Sequence, residues 1–365
     1  MFRRTLLAAA VAVAAGSGAA EAQIRIATAG PMTGQYAAFG AQMRAGAVLA
    51  VADINAAGGV LGQPVVLEIA DDACDPRHTV TVAKNLVSRG VLFVAGHFCS
   101  GSSIPASKVY AEAGVLQISP ASTNPRFTDE GGWNTFRVCG RDDRQGLIAA
   151  NHILANLPGR RVAILHDNSA YGKGVANEVR RVLNAGGMEE ALNEAYGAGE
   201  RDYSALVSRL QQATVEVVYF AGYHIETALI VRQMRERGLK ALAIGTDALA
   251  TDEFWQITGP AGEGTLMTIA SDPRRRPAAA EVVAKFRARN IEPEGYVLYT
   301  YAAIQLWAEA ARRAGTTDPR RVAEALKARG PWQSVLGPIA FDQKGDITQP
   351  DYVLFVWRNG TYAEL

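Results

Sequence analysis

Short apolar runs alternate with longer stretches of helical spacing along the first third of the chain. Four runs have the length and continuous apolar character of strands buried in a parallel sheet. They are residues 24–30, 65–70, 91–96 and 115–118. Three stretches between them have the spacing of helices. They are residues 37–56, 76–88 and 102–113, so this part of the chain predicts a β-α-β-α-β unit with a covered parallel sheet.

The same alternation restarts near Asp143 and predicts a second α/β unit in tandem. Its predicted helices are 143–157, 171–185, 202–213 and 226–237, and its predicted strands are 162–166, 217–220 and 241–245. Asp202 is the predicted N-cap of the third helix, since its carboxylate can accept hydrogen bonds from free amides. After Asp272 the pattern predicts successive helices and two final strands. The helices are 278–290, 295–314 and 319–329, and the strands are 339–341 and 352–357.

The N-terminus has the pattern of a secretory signal. Arg3 and Arg4 precede an apolar run, residues 6–15, that is shorter than the about 20 residues needed to span a bilayer. Ala20-Glu21-Ala22 then supplies small residues at the positions that signal peptidase requires. We therefore expect residues 1–22 to be removed during export to the periplasm. A retained membrane anchor is the alternative, which the cleavage site disfavours.

Composition agrees with an exported globular protein. The 365 residues are 48% hydrophobic and carry a formal net charge of +1, without a basic stripe, so nucleic acid is not an expected partner. The length predicts about two domains. The predicted mature chain has no further segment that reads as a membrane span. Its three cysteines are Cys74, Cys99 and Cys139, which permit one disulfide and one free thiol in an oxidising compartment.

Motifs of catalysis are missing from the sequence. The turn after the first strand, from Gly30 to Gly34, does not match G-x-G-x-x-G, and neither a Walker A motif, H-E-x-x-H nor G-x-S-x-G occurs. The five histidines lack metal-ligand spacing. We expect no enzyme activity, cofactor or metal, although catalytic groups that converge from distant positions would escape such a search.

Three loops that follow predicted strands carry candidate binding groups. In open α/β sheets, ligands bind beyond the carboxyl ends of the strands. The first loop, residues 96–105, combines small residues, hydroxyls and the amides of a helix start, which suit a carboxylate. The second, residues 118–125, offers further hydroxyls and backbone groups, and the third ends in Asp247, which could hold an ammonium group. Each loop taken alone is also compatible with an ordinary capping turn.

Two tyrosines follow strands of the second unit. Tyr171 opens a helix and Tyr223 comes just after residues 217–220. A phenol ring can cover an aliphatic side chain and still form a hydrogen bond at its rim. Each tyrosine alone is weak support for a site.

Taken together, these segments resemble the leucine/isoleucine/valine-binding family, the type I periplasmic substrate-binding proteins of branched-chain amino acid ABC importers. The resemblance covers essentially the whole predicted mature chain. Its most specific motifs are Asp71-Asp72-Ala73-Cys74-Asp75-Pro76 and Gly96-His97-Phe98-Cys99-Ser100. Further matches are Pro120-Ala121-Ser122-Thr123, His166-Asp167 with Tyr171-Gly172, Gly222-Tyr223-His224, Thr300-Tyr301-Ala302-Ala303, and Phe341-Asp342 with Gly345-Asp346.

The resemblance implies an α/β fold of two Rossmann-like lobes joined by three crossovers, with a ligand cleft between them. Lobe 1 would comprise residues 24–141 and 271–348, and lobe 2 residues 142–270 and 349–365. Cys74 and Cys99 match the disulfide of the family, which leaves Cys139 as a free, buried thiol. The family also implies a monomer that hands its ligand to an inner-membrane ABC permease.

The resemblance further implies a set of ligand contacts. Ser100 and Thr123 would bind the ligand carboxylate, and the carbonyl of Ala121 would accept from the ammonium. Ser122 belongs to the same loop and completes its hydroxyl and backbone groups. Three aromatic residues would close over the ligand: Phe39 from lobe 1, and Tyr171 and Tyr223 from lobe 2.

Three positions depart from the family pattern and predict an altered specificity. The family usually has glutamate where this chain has Asp247, so the carboxylate is withdrawn by about one bond length. Phe98 and Tyr296 are bulky and leave less room for a leucine side chain. We therefore expect a preference for small or linear amino acids, such as alanine, valine, proline or 4-aminobutyrate.

Two other functions are compatible with parts of the sequence. A ligand-sensing receptor or regulator can use the same fold, but the predicted signal argues against a cytoplasmic regulator and the lack of a second predicted membrane segment against a receptor. An exported hydrolase or dehydrogenase would need one of the motifs that the sequence lacks.

Overall fold

A computed structural model describes residues 23–365, and the predicted signal, residues 1–22, lies outside the described residues. In this part of the chain, five parallel strands form one sheet in the order β2-β1-β3-β4-β5. They are β1 (Ile24–Gly30), β2 (Val65–Asp71), β3 (Phe93–Gly96), β4 (Leu116–Ser119) and β5 (Thr135–Arg137). The interleaved helices are α1 (Ala37–Ala56), α2 (Pro76–Ser88), α3 (Ser100–Ala113) and the short α4 (Arg126–Asp129).

A second sheet has seven strands in the order β14-β13-β10-β9-β8-β6-β7. Its strands are β6 (Val162–His166), β7 (Leu192–Ala195), β8 (Val217–Ala221), β9 (Leu242–Gly245), β10 (Leu266–Ala270), β13 (Tyr352–Arg358) and β14 (Thr361–Glu364). The helices around it are α5 (Asp142–Asn156), α6 (Ala170–Ala185), α7 (Ser204–Gln212), α8 (His224–Glu236) and α9 (Asp252–Thr258). Only β13 and β14 run antiparallel to their neighbours in this sheet.

Later helices return to the first sheet. They are α10 (Ala280–Arg287), α11 (Val297–Ala314) and α12 (Pro319–Ala328), followed by the hairpin β11 (Trp332–Ser334) and β12 (Gly337–Ile339). Trp307 of α11 stacks on Phe93 of β3, with 5.2 Å between ring centroids. We call the part built on the first sheet lobe 1 and the part built on the second sheet lobe 2. Within the described residues the chain passes between the lobes after β5, after β10 and after β12.

Successive residues of the central strands point to opposite faces of each sheet and so enter different cores. In β1, Ile26 packs in the core below α1 and α11, while Ala27 packs in the core below α2 and α3. In β6, Ile164 packs toward α5 and α6, while Leu165 packs toward α7 and α8. Both sheets are therefore covered on both faces, and the predicted two-lobed fold with three crossovers is confirmed.

Several element boundaries differ from the predictions. The N-cap of α7 is Tyr203, so the prediction that Asp202 caps this helix is wrong; its carboxylate instead accepts from the amide of Ser204 at 2.9 Å. The strand predicted at 339–341 is β12, which ends at Ile339. The helix predicted at 278–290 is shortened to α10, because a 3₁₀ turn occupies Pro277–Ala279 at its start and the helix ends at Arg287.

One described helix, α1, is long and apolar enough to span a membrane by length and composition. More than half of that stretch is buried inside the protein, where Met43 and Ala47 lie in the lobe 1 core with α11. Burial in the lobe 1 core accounts for this composition.

Candidate functional site

The loop after β3 is fixed to the loop after β2 by a buried histidine and a disulfide. His97 lies with Nδ1 2.6 Å from Oδ2 of Asp72 and Nε2 2.9 Å from the hydroxyl of Tyr110. Cys99 is bonded to Cys74 with 5.6 Å between their Cα atoms, a normal separation for a disulfide. The predicted disulfide is thus present, and it anchors the loop immediately before α3.

The loops after β3 and β4 are hydrogen-bonded into one unit. Ser122 donates from its hydroxyl to the carbonyl of Phe98 at 2.9 Å, and its amide donates to the hydroxyl of Ser119 at 2.8 Å. The amide of Asn124 donates to the hydroxyl of Ser100 at 3.2 Å. These bonds place Ser100, the first residue of α3, beside the second loop, so that hydroxyls and amides of both loops converge.

A buried arginine holds the second loop from behind. Arg137 donates from Nε to Asp346 at 2.6 Å and from Nη1 to the carbonyls of Ser122 at 2.7 Å and Asn124 at 3.1 Å. Its Nη2 donates to the hydroxyl of Thr128 at 2.7 Å. Because the guanidinium is fully buried and its donors are bonded, it fixes the positions of these two carbonyls and so of the loop backbone.

Asp247 follows β9 in lobe 2 and is held by three donors. Its Oδ1 accepts from the amide of Gln145 and from the hydroxyl of Tyr171, both at 2.7 Å. Its Oδ2 accepts from the hydroxyl of Tyr296, which belongs to lobe 1. Burial raises the pKa of the Asp247 carboxyl, and the hydrogen bonds from Tyr296, Tyr171 and Gln145 oppose that rise. The carboxylate is therefore oriented by the protein itself, with one of its bonds crossing between the lobes.

A second buried acid lies next to this region. Asp142 opens α5, and its amide donates to the carbonyl of Thr123 at 2.9 Å. Burial and the nearby charge of Asp247 raise the pKa of Asp142 well above its usual range. Among the described residues, neither the carboxylate of Asp142 nor the hydroxyl of Thr123 has a hydrogen-bonding partner by geometry. The charge of Arg137 opposes that rise without cancelling it, so a positively charged group next to these two acids would be favoured.

Aromatic rings from both lobes form the walls. Phe39 stacks on Phe98 with 4.4 Å between centroids, and Phe98 meets Tyr296 edge to face at 4.9 Å. Tyr36 of lobe 1 lies against Tyr223 of lobe 2, with centroids 4.3 Å apart. The rings exclude water from the space between the lobes and leave an apolar lining around the polar groups.

The space left between these groups is narrow, with a volume of about 10 Å³. It is lined by Phe98, Ser100, Ala121, Tyr171, Tyr223, Asp247, Ala248 and Tyr296. Seven of these residues are among the ten predicted from the sequence. The other three, Phe39, Ser122 and Thr123, are buried just behind the lining, Phe39 under Phe98 and the other two in the second loop.

The two lobes touch at several points around this space. The side-chain amide of Asn124 in lobe 1 donates to the carbonyl of Ala170 in lobe 2 at 2.7 Å. The Tyr36–Tyr223 ring pair and the Tyr296–Asp247 hydrogen bond also cross between the lobes. The structure therefore describes a closed cleft.

Some residues of the site carry no local signal in the sequence, because their roles depend on tertiary contacts. Gln145 binds Asp247 although about one hundred positions separate them. Ala248 and Tyr36 have side chains common in any core. Tyr36 had one available signal, its position one helical turn before the predicted Phe39, which places both on one side of the helix start.

Two covered sheets, three crossovers and a closed polar cleft define a two-lobed binding protein. The profile of the periplasmic binding protein family matches residues 23–361, and the chain belongs to this family. One relative, "Leu/Ile/Val-binding protein homolog 1" of Brucella suis biovar 1 (strain 1330), is 47% identical over 360 residues, which are 99% of this chain and 96% of the relative. The predicted resemblance to the leucine/isoleucine/valine-binding family is thereby confirmed.

Other similar proteins agree with this assignment. An "Amino acid binding protein" of Pseudomonas aeruginosa is 46% identical and covers 100% of this chain and 99% of the relative. The crystal structure of the leucine binding protein LivK from Thermotoga maritima has a TM-score of 0.87 at 28% identity, covering 94% of this chain and 97% of that one. LivJ from Streptococcus pneumoniae in complex with isoleucine has a TM-score of 0.86 at 26% identity, covering 93% of this chain and 98% of that one.

Proposed function

We propose that the protein captures a small amino acid between its lobes and delivers it to an ABC permease of the inner membrane. The ligand would be bound without chemical change. Closure would be driven by contacts that the ligand makes with both lobes at once, since a ligand shifts a conformational equilibrium only through such differential contacts.

The observation that supports this proposal most directly is that groups suited to a carboxylate and an acid suited to an ammonium line the same space. Ser100 and Ala121 lie at one side, in loops whose hydroxyls and amides suit a carboxylate, and the acid Asp247 lines another part. A zwitterion needs a partner for each of its charges when it is buried. We assign the carboxylate to Ser100 and the Thr123 loop, and the ammonium to the carbonyl of Ala121 and to Asp247.

The ring arrangement supports the proposed preference for small or linear ligands. Phe98 is supported by Phe39 and bounded by Tyr296, so its ring has little freedom to move aside. The space that the rings leave in this closed form is narrow, which favours a small ligand. Alanine, valine, proline and 4-aminobutyrate are the proposed ligands. Relatives named for leucine, isoleucine and valine define the class against which this preference is to be measured.

The cellular setting forms part of the same proposal. Removal of residues 1–22 would release a monomer into the periplasm, with lobe 1 formed by residues 24–141 and 271–348 and lobe 2 by 142–270 and 349–365. Intact mass and sedimentation of the periplasmic fraction test this directly. A retained N-terminus or a stable dimer would contradict it.

The deciding experiment is calorimetric titration of refolded, ligand-stripped protein with leucine, valine, alanine, proline and 4-aminobutyrate. We expect the smaller or linear ligands to bind more tightly than leucine. Tighter binding of leucine than of all the others would refute the specificity, and no binding at all would refute the amino-acid site. Mass spectrometry of the ligand recovered after incubation tests whether it leaves unchanged, as a binding protein requires.

A further inference from the structure

A second recess lies at the crossovers, away from the cleft. It is open to solvent and has a volume of about 260 Å³. All three crossover regions contribute to it: residues 138–140, the segment from Ala270 to Arg276, and the segment from Ile347 to Tyr352. None of these residues lines the cleft space between the lobes. We call this recess the hinge cavity.

The hinge cavity offers hydrogen-bonding groups that the protein does not use. The hydroxyls of Tyr299 and Tyr352 and the side-chain amide of Gln349 line it and form no hydrogen bond within residues 23–365. The two charged lining residues, Arg276 and Asp351, form an ion pair with each other. The lining is therefore polar but carries no free charge, which suits an uncharged occupant.

The remaining lining is largely apolar. Four prolines and several aliphatic side chains surround the two tyrosine rings. They are Pro273, Pro331, Pro338, Pro350, Val138, Leu336, Ile339 and Ile347. A ring-shaped molecule can pack against the proline and tyrosine rings of this lining.

The hinge cavity shares a wall with the cleft. Tyr296 and Tyr299 are neighbours at the start of α11, with centroids 6.0 Å apart; Tyr296 lines the cleft and Tyr299 the hinge cavity. The ring of Tyr352 lies directly on the backbone of Gly140, where an added Cβ would come within 2.2 Å of Cε2. The two spaces are therefore separated by one pair of packed tyrosine rings, which gives a direct contact through which they can be coupled.

We propose that the hinge cavity is an effector site for an uncharged, ring-sized molecule with a hydrogen-bonding group, and that its occupancy strengthens amino-acid binding. The lobes rotate about the crossovers, so a movement that opens the cleft on one side narrows the opposite side. A molecule held between the crossovers resists that narrowing and favours the closed form. By linkage, the amino acid must strengthen the binding of the effector by the same factor.

The coupling rests on the proposed amino-acid site, whereas binding in the hinge cavity can be tested without it. Phenol is a suitable probe, because it is a single ring with one hydroxyl that stays uncharged at neutral pH. We expect calorimetry to show that phenol binds the ligand-stripped full chain. We also expect the Kd for alanine to fall roughly fivefold or more when phenol is present, which is the lower end of typical coupling between two sites. If phenol does not bind, the proposed effector site is refuted. If phenol weakens the binding of alanine, the two molecules compete for the cleft, and the proposed effector site is refuted as well.

Two tryptophan variants in one loop locate the effect. Thr348 lines the hinge cavity and is exposed, so Thr348→Trp places a ring in the cavity from its rim. Gln343 is exposed in the preceding turn, outside the cavity lining, and Gln343→Trp is the matched control. We expect Thr348→Trp to bind alanine more tightly than the parent and to lose the response to phenol, while Gln343→Trp keeps both parental properties. A phenol response that survives in Thr348→Trp overturns the assignment to this cavity.

If no amino acid binds the parent chain, the proposed function is refuted, but phenol binding in the hinge cavity can still be tested. Phenol must then still bind the parent and Gln343→Trp, and not Thr348→Trp. Equal phenol binding by all three proteins overturns the hinge cavity independently of the amino-acid site.

Discussion

The hydroxyl of Tyr296 donates a hydrogen bond to Oδ2 of Asp247 across the closed cleft. Tyr296 stands at the start of α11 in lobe 1, while Asp247 follows β9 in lobe 2. The acid proposed to hold the ligand ammonium is therefore also a direct link between the lobes. A contact that stabilises the Asp247 carboxylate in this position also stabilises the closed form, because Tyr296 of the other lobe binds the same carboxylate.

Tyr296→Phe removes this link and keeps the ring. Hydrogen bonds to charged groups contribute about 1.5–3 kcal/mol, so we expect the Kd for the preferred amino acid to rise about tenfold or more. Titration calorimetry measures the change. The matched control is Tyr301→Phe on the same helix, whose hydroxyl binds Asp53 away from the cleft and whose loss should leave the Kd unchanged. Equal effects of both variants would contradict the role given to Tyr296.

Sequence patterns predicted those strands whose own residues are continuously apolar. Runs such as β6 and β8 are continuously apolar, and their pattern identified them without knowledge of their partners. The edge strand β7 alternates half-buried and exposed positions and contains Asn193 and Glu194, so it has no apolar run to detect. The strand β10 is apolar but was missed, and it completes its sheet by pairing with β13, which lies more than eighty residues later.

The residues of the cleft likewise fall into those with a local sequence signal and those without one. Residues in loops that follow strands, such as Ser100 and Asp247, were predicted because strand ends meet at one edge of a sheet. Gln145 and Asp142 lie on α5 of lobe 2. Gln145 binds Asp247 of the same lobe about one hundred residues later, and the amide of Asp142 binds the carbonyl of Thr123 in lobe 1. Local spacing carries no information about such contacts.

Arg137→Met tests the support behind the second loop. The change leaves the buried Asp346 with fewer donors and frees the carbonyls of Ser122 and Asn124. Removing one partner of a buried ion pair typically costs about 3–5 kcal/mol, so we expect a loss of that order in urea unfolding, together with weaker amino-acid binding. Arg126→Met, which breaks an exposed pair with Glu130, should cost less than about 1 kcal/mol. Similar losses in the two variants would show that the loop does not depend on Arg137.

Asp167 predicts a dependence of stability on pH. Burial raises the pKa of its carboxyl to about 6, and the charge of Glu226 adds to the rise while hydrogen bonds from Ser169 oppose it. The ordinary value in an unfolded chain is about 3.9. Since the folded state holds the proton more tightly, the stability from this group is fully present below about pH 4 and is lost as pH rises through about 6.

Asp167→Asn removes that loss because its side chain does not ionise. We expect the free energy of unfolding of the variant, relative to the parent, to increase by about 2 kcal/mol between pH 4 and pH 8. Urea unfolding at the two pH values measures the difference. Asp202→Asn is the control of opposite sign, since the amide of Ser204 lowers the pKa of that exposed carboxyl. A pH-independent difference between Asp167→Asn and the parent would contradict a raised pKa in the folded state.

Phe98→Leu tests the ring that limits the size of the ligand. Phe39 stacks behind Phe98 at 4.4 Å between centroids, so shortening Phe98 exposes the face of a second ring and keeps the wall apolar. The added room can accept the three extra carbons of a leucine side chain, each worth about 0.8 kcal/mol when buried. We expect the ratio of the Kd for leucine to the Kd for alanine to fall about tenfold or more.

Adding Asp247→Glu to Phe98→Leu should lower that ratio further if the shorter acid also contributes to the altered preference. The extra methylene carries the carboxylate toward the ammonium, although it must rearrange the bonds from Tyr171 and Tyr296. Phe341→Leu, a buried lobe 1 phenylalanine outside the cleft lining, controls for general loosening and should leave the ratio unchanged. A ratio that moves equally in Phe98→Leu and Phe341→Leu would mean that core packing, and not the Phe98 ring, sets the selectivity.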